Sequence, residues 1–179
     1  MCSRVALDSR NTEEVLLRPF EERDFEALAG IRRDGGLQSL LLSVPSPEGD
    51  GAIREWLSRR QSEPGGSFRV IEKKSTGEPL GYVQVSQVHR KNRYGYLGIV
   101  ICENTRGLGI GHASLRLLLM HAKQDLGLVK LMAEIRKDNT ASVRLHLSLG
   151  FRIVGTMEKH FIDVHSRRHD VLLVERSLA

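Results

Sequence analysis

The sequence predicts an α/β domain with a mixed central sheet, because its hydrophobic period changes along the chain. Up to the breaker Pro64-Gly65-Gly66, apolar residues recur mainly at helical spacing; beyond it, three runs alternate with a period of two. The period then switches from helix to strand to helix before two closing strands, giving the order β-α-α-β-β-β-α-β-α-β-β. At 179 residues the chain has the length of one domain, since domains run to roughly 100–200 residues. The expected division is a flexible N-terminus over 1–14 and one domain over 15–178.

Each element has its own signal. Val15 to Phe20 (VLLRPF) reads as a short first strand, stopped by Pro19. Asp24 is placed to cap a helix running to about Arg33, and Gly35-Gly36 breaks it. Residues 37–47 (LQSLLLSVPSP) are apolar and proline-punctuated, the pattern of a loop that packs over something. A second helix, about Asp50 to Gln61, carries Ile53, Trp56 and Leu57 at helical spacing. Strands follow over Ser67–Glu72, Leu80–Val88 and Tyr94–Ile101, with polar turns between them, as a meander of hairpins. In the middle strand Tyr82, Gln84 and Ser86 share one face and Val83 and Val85 the other. Leu115, Leu118, Leu119, Ala122 and Leu126 form one helical stripe that Gly127 stops. Val129 to Ile135 is a strand, Asp138 or Asn139 caps a last helix, and Gly150 ends it. Phe151–Met157 and Asp170–Glu175 are the closing strands.

Composition narrows the class. A formal net charge of +5 favours anionic ligands and disfavours a polycationic substrate. Aromatics are 5% of residues and the basic clusters are short, so no nucleic-acid partner is expected. No apolar run approaches the ~20 residues of a membrane span, and the N-terminus is too polar for a secretory signal. The two cysteines, Cys2 and Cys102, make no disulfide framework, which suits a reducing, cytoplasmic setting.

The stretch Glu103 to Leu119 (ENTRGLGIGHASLRLLL) carries alternating glycines directly before a helix. Glycines let the backbone approach a ligand with its N–H groups turned inward, and the helix adds its N-terminal dipole. A dinucleotide fingerprint would need Gly-x-Gly-x-x-Gly, but here the third glycine comes one residue early. A P-loop would need a Lys-Ser or Lys-Thr that is absent at this place. Arg106-x-x-Gly109-x-Gly111, after an apolar strand, resembles the acetyl-coenzyme A loop of the GNAT N-acetyltransferase superfamily. Asn139-Thr140-Ala141-Ser142 through Gly150-Phe151 resembles that superfamily's Asn-x-x-Ala…Tyr-x-x-x-Gly-Phe pattern. The resemblance covers about residues 15–178. The segment from Gly155 to Glu175 looks most like the branch of spermidine, ribosomal-protein N-terminal and nucleotide-linked amino-sugar acetyltransferases.

The resemblance implies a GNAT-type mixed, largely antiparallel sheet flanked by helices, with acetyl-CoA as cosubstrate. It implies that the strand before the loop splays from its neighbour, that Ile99, Val100 and Ile101 pair with the pantetheine arm, and that a backbone N–H there polarises the thioester carbonyl. Arg106, Gly107, Leu108, Gly109, Ile110 and Gly111 would hold the pyrophosphate, with Glu103 where the family usually has proline. Asn139 would cap its helix and contact the pantetheine. Glu134 stands where several members carry the base; the alternative is a surface carboxylate paired with Lys130. His146 replaces the family's tyrosine, as general acid, as the residue orienting a water that is, or as a satisfied core histidine whose pKa burial lowers.

His160, Asp163, His165 and His169 lie within ten residues, but zinc sites of that spacing usually bring cysteines or a helix, and no metal is expected. Cys102 reads as a small core residue. The expected function is acetyl-CoA-dependent N-acetylation by direct attack of a primary amine. The acceptor is a small-molecule or peptide amine between the 35–47 segment, the helix of Trp56 and the 158–169 hairpin. An amine on an anionic body, such as a nucleotide-linked amino sugar, comes first, a protein N-terminus second and a free polyamine third. The rival is a non-catalytic acyl-CoA-binding module. No nucleic acid or membrane is expected as partner, and the oligomer, if any, is a homodimer.

Overall fold

The computed structural model describes residues 14–43 and 49–179. Cys2, most of the 1–14 segment and residues 44–47 of the apolar stretch lie outside them. The order is β1 (Val15–Arg18), α1 (Phe25–Arg33), α2 (Gly35–Leu40), α3 (Asp50–Gln61), β2 (Ser67–Lys73), β3 (Pro79–His89), β4 (Tyr94–Ile101), α4 (Ile110–Gln124), β5 (Lys130–Arg136), α5 (Thr140–Ser148), β6 (Arg152–Ile162) and β7 (Arg168–Ser177). The strands form one sheet in the order β1-β2-β3-β4-β5-β7-β6. Only β4 and β5 pair in parallel; the other neighbours are antiparallel. The mixed, largely antiparallel α/β fold is as expected.

Strand alternation divides the core in two. On one face Val83, Val85, Leu97, Leu131, Ala133 and Ile135 pack against Leu115, Leu118, Leu119 and Ala122 of α4. On the other, Phe68, Val70, Tyr82 and Val100 pack against Phe25, Leu28 and Ile31 of α1 and Ile53 and Leu57 of α3. Leu28, Leu115 and Leu118 are wholly buried, each worth about 1.5–3 kcal/mol of transfer free energy.

One expected loop is corrected. Residues 35–40 form α2, although two glycines open it. Asp34 supplies the reason: its carboxylate accepts from the Leu37 N–H at 2.9 Å, an N-cap that fixes the first turn. Asp24 acts differently from the expected cap. It makes no side-chain bond to α1; a short 3₁₀ turn, Glu22–Asp24, precedes that helix. Its carboxylate takes the Glu21 N–H at 2.8 Å and a bidentate Arg18 guanidinium at 2.6 and 2.7 Å. Arg18 also bonds Glu72 on β2, so one guanidinium ties β1, β2 and the start of α1 together.

Burial is the largest single influence and would raise the Asp24 pKa, but the Arg18 hydrogen bonds, the Glu21 N–H and the charges of Arg18 and Arg23 together outweigh it and hold the carboxyl below its ordinary value. A depressed carboxylate stabilises fully above its unfolded pKa of ~3.9, and the gain disappears as pH falls through the folded value. Asp24→Asn is expected to cost about 3 kcal/mol at pH 7, the low end for breaking a buried pair, because Arg18 keeps Glu72. Urea denaturation should show that gap closing as the pH is lowered below 4; a gap constant with pH would contradict the assignment.

Candidate functional site

The site begins where pairing between two neighbouring strands stops. β4 and β5 pair only at Tyr94–Lys130, Gly95–Leu131 and Tyr96–Met132. Beyond them β4 stays with β3 to Ile101, while β5 stays with β7 to Arg136. Antiparallel pairing sends alternate backbone groups to opposite sides. The Cys102 N–H donates to Leu80 on β3 at 2.9 Å, and the Arg93 carbonyl accepts from Val129 at 2.8 Å, toward β5. This alternation turns the backbone of Tyr96, Gly98 and Val100 to β3, and that of Leu97, Ile99 and Ile101 into the gap. Of the three residues singled out from sequence, Ile99 faces the gap, Val100 pairs with Tyr82, and the Ile101 carbonyl accepts from Arg106 Nε at 3.1 Å. Leu97, missed before, joins Ile99; strand parity would reveal it once the register was known. The gap opens into a cleft of about 630 Å³.

At the end of β4 the chain makes a 3₁₀ turn, Glu103–Thr105, and enters the glycine loop. Gly107 and Gly109 have φ of +79° and +80°, left-handed values that glycine adopts without strain. Gly109 is the N-cap of α4 and supplies no side-chain acceptor, so the first-turn N–H groups of this 15-residue helix have no intrahelical partner. Gly111 packs α4 close to α5: a Cβ there would sit 3.3 Å from Leu145 Cδ2. Exposed backbone donors, a helix N-terminus and the Arg106 side chain suit a pyrophosphate.

Glu134 projects from β5 on the face shared by Met132 and Lys130, among the cleft-lining residues. Lys130 instead reaches Glu175 on β7 at 3.2 Å, so the expected alternative pairing with Glu134 is not made. Glu134 lies near enough to Tyr96 that its charge, after burial, helps raise the phenol's pKa. Asn139 caps α5, its Oδ1 accepting from Ser142 at 3.2 Å, which leaves its amide N–H groups to the cleft.

His146 is 2% exposed in the cleft wall, edge-on to Phe151 with ring centroids 5.1 Å apart. Its Nδ1–H donates to the Ser142 carbonyl at 2.8 Å, so Nε2 carries the lone pair. Nε2 is buried and has no partner among the described residues. Burial lowers the imidazole pKa, and the Ser142 bond opposes it only in part. As held, the ring is a neutral acceptor.

The far end of the cleft is built from α1, α2, α3 and β3. Trp56, Phe68 and Tyr82 form an aromatic wall with centroids 5.0 to 5.8 Å apart. Burial pushes the Tyr82 phenol up to about 12. Arg32, Gln38 and Gln84 also line this end; of these, only Gln84 had a sequence signal, its face shared with Tyr82. The 158–169 hairpin contributes no lining residue among those described. In it, Asp163 accepts from the His165 and Arg167 N–H groups and pairs with His169 Nε2 at 3.0 Å. No group of three or more potential metal ligands occurs among the described residues.

Known proteins resemble this chain in sequence and in fold. The family model described as acetyltransferase (GNAT) domain matches residues 14–152. An L-amino acid N-acetyltransferase of Escherichia coli is 24% identical over 149 residues, 82% of this chain and 88% of its own. A phosphinothricin N-acetyltransferase of Streptomyces coelicolor is 29% identical over 148 residues, 81% of this chain and 86% of its own. Among solved structures, the spermidine N-acetyltransferase of Vibrio cholerae in complex with CoA and spermine superposes with a TM-score of 0.86. It is 19% identical and covers 93% of this chain and 96% of that one, a likeness of fold.

The wall geometry makes a spectroscopic prediction. His146 should titrate below the ordinary ~6.5 of histidine and show the Nδ1–H tautomer in ¹⁵N NMR spectra at neutral pH. Because its folded pKa is depressed, its contribution to stability is complete above ~6.5 and is lost as pH falls through the folded value. A titration at or above 6.5 would contradict this placement.

Proposed function

The chain belongs to the GNAT acetyltransferases and is an N-acetyltransferase; from that premise we propose that it transfers the acetyl group of acetyl-CoA to a small primary amine by direct attack. The observation that carries the proposal is the divergence of β4 from β5 after Tyr96 and Met132. It leaves a row of strand backbone groups without a strand beside them, running toward the glycine loop and the start of α4. An extended arm carrying amide groups can complete that row as an added strand would. The pyrophosphate then meets Arg106 to Gly111.

Acetyl-CoA supplies the acetyl group as an activated thioester. The protein's own part is to hold, orient and deprotonate. The Ile99 N–H, turned into the gap, donates toward the thioester carbonyl oxygen, where charge develops during attack. A lysine-like amine, with pKa ~10.4, arrives protonated. Glu134 takes one proton and frees the nitrogen lone pair. The new C–N bond forms as the C–S bond breaks, and the amine's second proton balances the departing thiolate. With Nε2 as an acceptor, His146 suits the role of orienting a water that passes this proton better than that of donating it. Asn139 adds its free amide to the arm's contacts.

The acceptor is an amine attached to an anionic body, with nucleotide-linked amino sugars as one class. Glu134 is the only carboxylate among the described lining residues, against Arg32, Arg60 and Arg106. The relatives named for L-amino acids and phosphinothricin fit a small acceptor. The structure with spermine bound belongs to a chain similar in fold alone.

Thiol release from acetyl-CoA across a panel of amines tests the reading; CoA binding with no amine turned over would overturn it. Glu134→Gln should lower kcat/KM about 100-fold near pH 7, within the range for a general base. The deficit should shrink as pH approaches ~10, where the acceptor amine loses its proton unaided. A variant with wild-type rates at neutral pH would remove Glu134 from the mechanism.

A further inference from the structure

Resting on the transferase reading above, we infer that Arg32 is the specificity-determining residue of the acceptor site, and that it receives an anionic group, a carboxylate or phosphate, carried by the amine itself. Arg32 sits in the last turn of α1 with its guanidinium 4.7 Å from the Trp56 ring centroid. One Nη1–H donates to Gln38 Oε1 at 2.6 Å. Gln38 is 0% exposed, and its Nε2 donates to the Ile31 carbonyl at 2.8 Å. The amide's orientation is therefore fixed, and its oxygen can only face the arginine. A stacked, tethered guanidinium has lost its rotational freedom before any ligand arrives, and this lowers the cost of binding.

What Arg32 lacks is a counter-charge. Arg18, Arg54 and Arg136 each hold a carboxylate within 4.0 Å, whereas Arg32 has none among the described residues. A guanidinium carries five N–H donors in a fork that matches a carboxylate or phosphate edge. Arg60, from α3, lines the same end and shares its charge with Glu63 at 3.3 Å. The positive field at this end is therefore mainly that of Arg32.

Other lining residues have the reverse chemistry. Gln84 Oε1 is buried without a partner among the described residues, an acceptor open to an N–H. Gly98 across the ladder leaves room for that side chain; a Cβ there would lie 3.0 Å from Gln84 Nε2. Glu134 adds a carboxylate. With Arg32 on α1, Gln84 on β3 and Glu134 on β5 lining one cleft, donor and acceptor groups come from different walls, complementary to a molecule that carries both an acid and an amine. A free polyamine would set an ammonium against Arg32.

The test compares matched amines that differ only in the anion: an α-amino acid against its primary amide, and an aminoalkyl phosphate against its amino alcohol, with spermidine as the polycation. The wild type should favour the anionic member of at least one pair by about 10- to 100-fold in kcat/KM, the range for hydrogen bonds to a charged group. The pair that responds identifies carboxylate or phosphate as the source. Arg32→Met keeps the packing on Trp56 without the charge, and should collapse that ratio through KM. Arg32→Lys, which keeps the charge without the fork, should restore part of it and controls for folding. An unchanged ratio in Arg32→Met, equal rates within both pairs, or spermidine as the best acceptor would overturn the inference. Failure of every amine to release thiol would instead strike the transferase reading.

Discussion

The structure depends on a place where a sheet stops being one. Backbone N–H and C=O groups inside a protein are paired almost without exception, because an unpaired one carries the full cost of lost hydration. β4 meets that requirement on its β3 side from Tyr94 to Ile101, apart from a bulge opposite Gly95, and on its β5 side only as far as Tyr96. The gap persists because each strand is satisfied elsewhere: β5 pairs with β7 from Lys130 to Arg136 and has no need to follow β4. Gly111 lets the start of α4 lie against Leu145 of α5 at the open end. The backbone groups of Leu97 and Ile99 thus face the gap rather than a strand, which is the feature that the proposed binding of an extended, amide-bearing arm uses.

The end of the cleft lined by α1, α2 and α3 is held by a different device. α2 is six residues long, too short to persist on its own propensity. It is pinned by the Asp34 cap, by the Gln38 bond to Ile31, and by Ser39, whose hydroxyl accepts from Arg136 at 2.6 Å. Arg136 is 8% exposed and also grips both oxygens of Asp138, the residue before the α5 cap. The Arg136 bonds hold the Asp138 carboxyl below its ordinary value. His169 lies between Asp138 and Asp163, at 3.5 and 3.0 Å. The hairpin expected beside the acceptor instead connects to the start of α5 and to α2 through this chain of charges.

What could be read from sequence follows from which constraints are local. The glycines of the loop are legible because left-handed φ and close helix approach demand glycine at fixed spacing. The α4 stripe and the meander are legible because burial imposes a period. α2 reads as loop because Gly35 and Gly36 argue against a helix by propensity, and what overrules them is the Asp34 cap together with contacts to Ile31 of α1 and Arg136 of β5. Arg32, Gln38 and Gln84 had no common signal: they sit on α1, α2 and β3 and meet only through the fold. Gln84 alone left a trace, as the polar residue between Tyr82 and Ser86 on a face that elsewhere packs aromatic side chains.

His146 shows how one substitution in a familiar pattern changes the chemistry available. A hydroxyl at the end of a phenol can donate while its ring packs in the wall. An imidazole at the same position has spent its Nδ1–H on the carbonyl of the preceding turn, at Ser142. Its remaining nitrogen can only accept unless the ring is protonated, and burial opposes protonation. The ring as held therefore offers no donor at this position near neutral pH, and in the mechanism proposed above the proton bound for the departing sulfur travels by water. Glu134, exposed at the opposite side of the gap, is open to that same solvent. Under that proposal, proton removal from the amine and proton delivery to the thiol are two exchanges with one pool of water, and the protein's part is to place the amine, the carbonyl and the base along the open edge of β4.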